Sequence, residues 1–175
     1  MIISQQTHYT LRTWQTGDIP SLAENANNIN IWNNVRDYFP HPYTQKDAEE
    51  FISFVLQKSN TEDFVIEINN KAVGGIGFVP QRDVERLNAE IGYWLSEEHW
   101  HKGIMSDAIK DVVEYIFANT EIIRLFATVY EFNKASMRVL EKAGFRKLTI
   151  LSKAAIKNEK IIDMHYYERL KTPKW

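Results

Sequence analysis

Residues 94–107, WLSEEHWHKGIMSD, form the clearest candidate binding site in this sequence. An alternating apolar run ends at Leu95, and a run with helical spacing begins near Gly103. The first turn of a helix has backbone N–H groups without partners inside the helix, and the helix dipole is positive there. The junction therefore predicts a phosphate-binding turn, although a glycine before a helix is also an ordinary turn residue.

A second junction, VYEFNKASMRVLEKAGF at residues 129–145, also leads from a strand into a helix. Asn133 stands at the predicted helix start and Gly144 at its end, and both types are preferred at those positions. Residues 134–160 hold eight Lys and Arg against two Glu, whereas residues 1–63 hold four against eight acids. This asymmetry favours one anionic and one cationic ligand, or else two solvated surfaces.

Glu90 is the candidate general base, because it lies in a predicted strand and shares one face with Gly92 and Trp94. A carboxylate beside apolar neighbours can have a raised pKa and accept a proton. The alternative is a strand glutamate held in an ion pair. Histidines are the other candidate bases, namely His41, His99, His101 and His165. We expect no metal site, because His99 and His101 are too close to share a helix face and no carboxylate cluster has ligand spacing.

The elements that position these residues follow from the hydrophobic periodicity. Strands are predicted at Tyr9–Trp14, Phe64–Ile68, Ala72–Val79, Glu90–Leu95, Leu125–Tyr130, Lys147–Ile156 and Lys160–Arg169. Helices are predicted at Asp18–Asn27, Thr44–Lys58, Ile104–Phe117 and Asn133–Ala143. Thr44 is the expected cap of the second helix, and Asn69-Asn70 is the expected hairpin turn.

Composition limits the class of protein. The chain has 175 residues, 44% of them hydrophobic and 25% charged, which indicates one globular domain spanning 1–175. It has no Cys, so a thiolate metal site and a cysteine nucleophile are excluded, and a reducing, cytoplasmic location is favoured. The net charge of −2 argues against general nucleic-acid binding. We expect no membrane segment, because no run approaches about 18 apolar residues.

Three motifs in order resemble the GNAT N-acetyltransferase superfamily: AEIGYWL at 89–95, HKGIMSDAI at 101–109 and NKASMRVLEKAGF at 133–145. They are most similar to the branch of the ribosomal-protein N-terminal alanine acetyltransferases, the RimJ/RimL-like proteins. The resemblance runs from Tyr9 to Arg169. It implies an α/β (α+β) single-domain fold with a twisted, mixed, mostly antiparallel sheet of about seven strands and about four flanking helices.

The resemblance also implies that an acetyl group moves from acetyl-CoA to a primary amine, either a protein N-terminus or a small molecule. Pantetheine would lie between two splayed strands, Glu90–Leu95 and Leu125–Tyr130. Ser136 would lie near the sulfur. The cofactor-binding residues would be Tyr93, Trp94, Leu95, His101, Lys102, Gly103, Ile104, Met105, Ser106, Asn133 and Ser136.

The sequence departs from the family pattern at three positions. His101 stands where the family usually has Gly, and Met105 where it often has Gly or Ala. Leu140 replaces the tyrosine with which many members protonate the departing thiolate, so Ser136 becomes the substitute acid. Without a cysteine nucleophile, we expect direct attack by the amine in a ternary complex.

Acceptor specificity is expected to lie in the aromatic segment from Ile31 to Tyr43. Its candidate substrate-binding residues are Trp32, Tyr38, Phe39 and Tyr43, with Asp37 attracting the amine. These aromatic residues could instead cover the core. We expect a monomer or a homodimer. Two other functions remain open, namely a non-catalytic acyl-CoA sensor and a regulatory domain that binds another phosphate ligand at Gly103.

Overall fold

The structure is a computed structural model that describes residues 1–172. Its strands are β1 (Ile2–Gln5), β2 (Thr10–Thr13), β3 (Asp63–Ile68), β4 (Lys71–Pro80), β5 (Asn88–Leu95), β6 (Arg124–Tyr130), β7 (Arg146–Lys157) and β8 (Lys160–Leu170). Its α-helices are α1 (Ile19–Ala26), α2 (Ile29–Trp32), α3 (Gln45–Gln57), α4 (Ile104–Asn119) and α5 (Lys134–Lys142). Short 3₁₀ helices cover Thr16–Asp18, Asp83–Glu85 and Glu97–His99.

The strands form one sheet in the order β1-β2-β3-β4-β5-β6-β8-β7. β5 and β6 are parallel, while β1–β2, β2–β3, β3–β4, β6–β8 and β7–β8 are antiparallel. The predicted mixed, mostly antiparallel sheet is therefore confirmed. Over residues 1–172 the fold is slightly larger than predicted, with eight strands and five α-helices.

Besides the 3₁₀ helices, one strand and one α-helix were not predicted. β1 has only four residues, and it forms by pairing with β2 and not by an apolar alternation of its own. α2 also has four residues and lies in the segment predicted as an aromatic loop. It is capped by the side chain of Asn28, which accepts a hydrogen bond from the N–H of Asn30.

The contacts divide the chain into two compact units. The first comprises Met1–Gly77 and Tyr93–Ile104, and the second comprises Phe78–Gly92 and the chain from Met105 onward. The prediction of one domain over 1–175 stays a prediction. Within residues 1–172, no helix is long and apolar enough to cross a membrane.

The core of the first unit lies around α1 and α3. Its buried residues are Trp14, Leu22, Ala26, Tyr43, Ala48, Ile52, Val65 and Ala72. Thr44 caps α3 as predicted, since its hydroxyl accepts from the N–H of Asp47, whose carboxylate accepts in return from the N–H of Thr44. Asn69 and Asn70 both have positive φ, as the predicted hairpin turn requires.

The core of the second unit contains one side of α4 and alternate residues of β6. Ala108, Ile109, Val112, Val113 and Ile116 of α4 are fully buried, as their helical spacing predicts. α5 ends at Lys142, and Gly144 just after it has a φ of +84°, in the left-handed region that a glycine adopts without strain.

Candidate functional site

The turn before α4 has the geometry expected of an anion-binding segment. His101 and Gly103 have φ of +61° and +81°, and both are exposed. The helix begins at Ile104 directly after them, so its first N–H groups follow an exposed turn. The departure at position 101 thus puts a histidine in a backbone conformation that suits glycine. Met105 is buried, with an exposed fraction of 7%, so its side chain belongs to the core.

The chain between β5 and this turn is held by main-chain contacts. The indole N–H of Trp100 donates to the carbonyl of Leu95 at 2.8 Å. The N–H of Ser96 donates to the carbonyl of Val73 at 2.7 Å. These contacts fix the end of β5, and with it the start of the turn.

Two glycines of β4 allow Trp94 to pack closely. A Cβ at Gly74 would lie 2.7 Å from the carbonyl oxygen of Trp94, and a Cβ at Gly75 would lie 2.9 Å from its indole nitrogen. Both distances are shorter than packed atoms tolerate. The GlyGly pair therefore sets the position of Trp94, one of the predicted cofactor-binding residues.

The predicted substrate-binding aromatic residues divide into two groups within the first unit. Phe39 lies beside Trp94 and Tyr43, with ring centroids 6.0 and 5.0 Å apart. Tyr43 is a core residue, and burial raises the pKa of its hydroxyl to about 12. Trp32 is partly buried and Tyr38 is 83% exposed. Phe39 and Trp94 are brought together, while Tyr38 is left in solvent.

An amide cluster joins α2 to the segment before the turn. Glu97 accepts hydrogen bonds from the side-chain amides of Asn28 at 2.8 Å and Asn30 at 3.0 Å. These hydrogen bonds, led by the one from Asn30, lower the pKa of Glu97. The sequence does not indicate this cluster, because an Asn-rich segment shows no periodicity that would predict a contact with residue 97.

Glu90 lies where the ladder between β5 and β6 ends. The paired residues are Asn88 with Arg124, Ala89 with Leu125 and Glu90 with Phe126. For residues 1–172, no later β5–β6 pair is formed. A Cβ on Gly92, two residues further along β5, would meet no atom within 4 Å. Beyond Glu90 the two strands are therefore no longer paired, and a side chain at position 92 would have open space around it.

The carboxylate of Glu90 has a partner across the strands. The hydroxyl of Thr128 lies 3.4 Å from Glu90 Oε1 and donates to it. Thr128 was not singled out from the sequence. It lies two residues after Phe126, so it points to the same face of the sheet as Glu90.

The first turn of α5 joins two predicted site residues. Asn133 Oδ1 accepts from the backbone N–H of Ser136 at 3.0 Å, which makes Asn133 the predicted cap. This contact uses Oδ1 and not Nδ2, and Ser136 is partly exposed. Leu140, one turn later, has an exposed fraction of 0%, so that position supplies packing and no acid.

The candidate histidines lie in different surroundings. His41 and His101 are exposed. Burial, and then the charge of Lys102, lower the pKa of the partly buried His99. His165 is 8% exposed, and burial lowers its pKa as well. No group of three His, Asp or Glu side chains within residues 1–172 could hold a metal ion.

Comparison with known proteins adds a family match and several relatives. The model of the acetyltransferase (GNAT) domain matches residues 8–146. The uncharacterized N-acetyltransferase YoaA of Bacillus subtilis (strain 168) is 37% identical over 99 residues, which cover 57% of this chain and 55% of YoaA. The ribosomal-protein-serine acetyltransferase of Escherichia coli (strain K12) is 30% identical over 116 residues, covering 65% of this chain and 63% of that protein.

These alignments span a little more than half of YoaA and less than two thirds of the Escherichia coli protein. A solved structure of RimL, a ribosomal L7/L12 alpha-N-protein acetyltransferase in complex with coenzyme A, has a TM-score of 0.86. It covers 97% of this chain and 98% of its own at 22% identity, so it shows a common fold.

Proposed function

This chain belongs to the acetyltransferase (GNAT) domain family, as the three sequence motifs predicted, and we propose that it transfers acetyl from acetyl-CoA to a primary amine. The observation that carries the proposal is the family match over residues 8–146, which contains all three motifs. The proposed acceptor is the N-terminal amine of a peptide or protein, with small-molecule amines as the second class. The proposed location is the cytoplasm, and the proposed state is a monomer or a homodimer.

Acetyl-CoA supplies an activated thioester, and this chain supplies groups to bind it. We assign its phosphates to the backbone N–H groups of His101 through Ser106, supported by the positive φ of His101 and Gly103. The basic side chains of α5, namely Lys134, Arg138 and Lys142, would add charge-assisted hydrogen bonds. Asn133 would bind the pantetheine through Nδ2, since Oδ1 caps α5. The main chain of Tyr93, Trp94 and Leu95 would bind the same arm.

Glu90 is assigned the removal of a proton from the acceptor ammonium. The Thr128 hydroxyl orients its carboxylate by donating to Oε1. The neutral nitrogen then forms the N–C bond and gives up its second proton to water, while the C–S bond breaks and coenzyme A leaves as its thiolate. Ser136 is assigned the hydroxyl that donates to this thiolate, because Leu140 has no proton to give.

Calorimetry and a thiol-release assay test the proposal together. Acetyl-CoA is titrated into the protein, and thiol release is then followed with Ala- and Ser-initiated peptides, polyamines and free amino acids. Tight binding with turnover of the peptides is the expected result. No binding of acetyl-CoA would contradict the proposal.

A second candidate is an acyl-CoA sensor without catalysis, which the absence of a tyrosine at Leu140 favours. Binding of acetyl-CoA without turnover of any amine would support it. A regulatory domain for another phosphate ligand is the third candidate. Equal affinity for ATP and coenzyme A would support that one.

A further inference from the structure

A row of aromatic and charged side chains lies on the same face of the second unit as Glu90. Phe126 pairs with Glu90 on one side and with Glu168 on the other, so these three side chains point to one face. Arg146 pairs with Glu168 in turn and continues the row. We call Arg124, Phe126, Arg146, Tyr166 and Glu168 the arginine row.

Stacked rings form the middle of the arginine row. Phe126 and Tyr166 have centroids 5.4 Å apart and planes that differ by 9°. The guanidinium of Arg124 lies 5.6 and 5.7 Å from the two ring centroids. Both rings are partly exposed, so an extended peptide can pack against their accessible edges.

The charges of the arginine row do not balance. Glu168 Oε2 accepts from Arg124 Nε at 2.8 Å, and Oε1 accepts from Arg146 Nη2 at 2.6 Å. Two guanidiniums share one carboxylate, which leaves one positive charge. The side chain of Glu168 is 7% exposed, whereas that of Arg146 is 69% exposed. The surplus positive charge is therefore accessible at Arg146.

The distance along the row suits a short peptide. Adjacent strands lie about 4.8 Å apart, so Glu168 lies roughly 10 Å from Glu90 across β6. An extended peptide rises about 3.3 Å per residue, and an acidic side chain adds a few ångströms. An N-terminal amine at Glu90 would thus bring a carboxylate on the third residue of that peptide near the arginines.

We propose that the arginine row selects acceptor peptides that carry an acidic residue at the third position, and that Arg146 is the specificity-determining residue. This proposal rests on the proposed function, because it takes the amine to bind at Glu90. The peptide lies over Phe126 and Tyr166. The acidic side chain pairs with Arg146, while Glu168 keeps Arg124 in place.

Three peptides that differ only at the third residue, with Asp, Asn or Lys there, test the proposal. We expect kcat/KM for the Asp peptide to exceed that for the Lys peptide by about fivefold, the size of a partly exposed ion pair. Arg146→Ala should reduce this ratio to below about twofold and leave kcat/KM for the Asn peptide unchanged. In 0.5 M salt the wild-type ratio should shrink because of screening.

Arg82→Ala is the matched control, since Arg82 is an exposed arginine of the same unit outside the arginine row. It should leave all three rates unchanged. Equal rates for the Asp and Lys peptides in the wild type would overturn the proposal. So would an Arg146→Ala variant that slows all three peptides equally.

Binding separates this proposal from the proposed function. The same peptides are titrated calorimetrically into the protein saturated with coenzyme A. Tighter binding of the Asp peptide without turnover would keep the arginine row as a recognition surface and contradict the transferase. Equal affinities for the Asp and Lys peptides would overturn the arginine row alone, whatever the turnover.

Discussion

The two faces of β6 differ although their residues alternate along one strand. Leu125, Ala127 and Val129 have exposed fractions of 0, 2 and 4%, and they belong to the core. Phe126 and Thr128, between them, are partly exposed, and each contacts a polar or charged side chain. The pleat thus separates packing from polar contacts within one strand.

This separation predicts which property a substitution changes. A change on the buried face should lower the free energy of unfolding and leave the specificity of the folded protein alone. A change among Glu90, Thr128 and the arginine row should alter rate or specificity with a smaller effect on stability. We call the face that carries Phe126 and Thr128 the open face. Glu168 lies on the open face, paired with Phe126, but is an exception because it is itself buried.

The largest effect on stability is expected for a buried side chain of α5, in the same unit as β6. Leu140→Ala should lower the free energy of unfolding by about 2–5 kcal/mol, because it removes a fully buried side chain and leaves a cavity. Urea denaturation measures the loss. Leu148→Ala, at a position 44% exposed, is the control and should change stability little. A loss below about 1 kcal/mol for Leu140→Ala would contradict the assignment of this residue to packing.

Glu168→Gln comes next, with an expected loss of about 1 kcal/mol, since the two arginines stay partly exposed. Hydrogen bonds from Arg124 and then Arg146 lower the pKa of Glu168 below 4.5. Its contribution is therefore present above pH 4.5 and is lost as the pH falls through the lowered pKa. The free energies of unfolding of the variant and the wild type, measured by denaturation from pH 7 to 3, should converge toward low pH. A difference that stays constant over this range would contradict the ion pairs of Glu168.

Tyr167→Phe tests a polar atom on the buried face. The Tyr167 hydroxyl donates to Glu141 Oε1 at 3.1 Å, so its removal should cost roughly 0.5–1 kcal/mol at neutral pH. Burial, and then the hydrogen bond to Glu141, raise the pKa of Tyr167 to about 12. Above pH 10 the Tyr167 hydroxyl ionises in the unfolded chain but stays protonated in the folded one. The free energy of unfolding of the wild type should therefore fall as the pH rises above 10. The variant should lose less, which thermal unfolding between pH 9 and 11 measures.

The smallest effect is expected at His165. Burial lowers its pKa below 6.5, and the neighbouring charges are Lys147, Lys134, Glu131 and Asp163. The neutral form is favoured in the fold, so stability is lost as the pH falls below 6.5. His165→Leu should flatten that acid loss slightly in unfolding experiments between pH 7 and 5. If the free energy of unfolding had the same pH dependence in the variant and the wild type, a contribution of His165 to the acid loss would be contradicted.

Elements with a clear apolar period could be predicted from the sequence, whereas β1 and α2 could not. The apolar residues of α4 recur over four turns, so their burial follows from spacing alone. The caps at Thr44 and Asn133 follow from local chemistry. β1 and α2 have four residues each, too few to show a period. β1 forms only by pairing with β2, and Asn30 of α2 binds Glu97, which is distant in sequence.

The same limit applies to the site. The turn at Gly103 and the cap at Asn133 are local, and the sequence indicates both. The hydrogen bond from Thr128 to Glu90 depends on the register between β5 and β6, which one sequence does not reveal. The arginine row likewise requires the order β6-β8-β7, so neither Arg146 nor Glu168 could be assigned to a site beforehand.

The pH dependence of kcat/KM for Glu90→Gln, measured with an Ala-initiated peptide, tests most directly whether chemistry takes place on the open face. We expect a loss of about 10²-fold or more and a flattened alkaline-going rise, because proton removal contributes that much. The affinity for acetyl-CoA should remain that of the wild type. An unchanged rate and pH profile would contradict the assignment of Glu90 as the base.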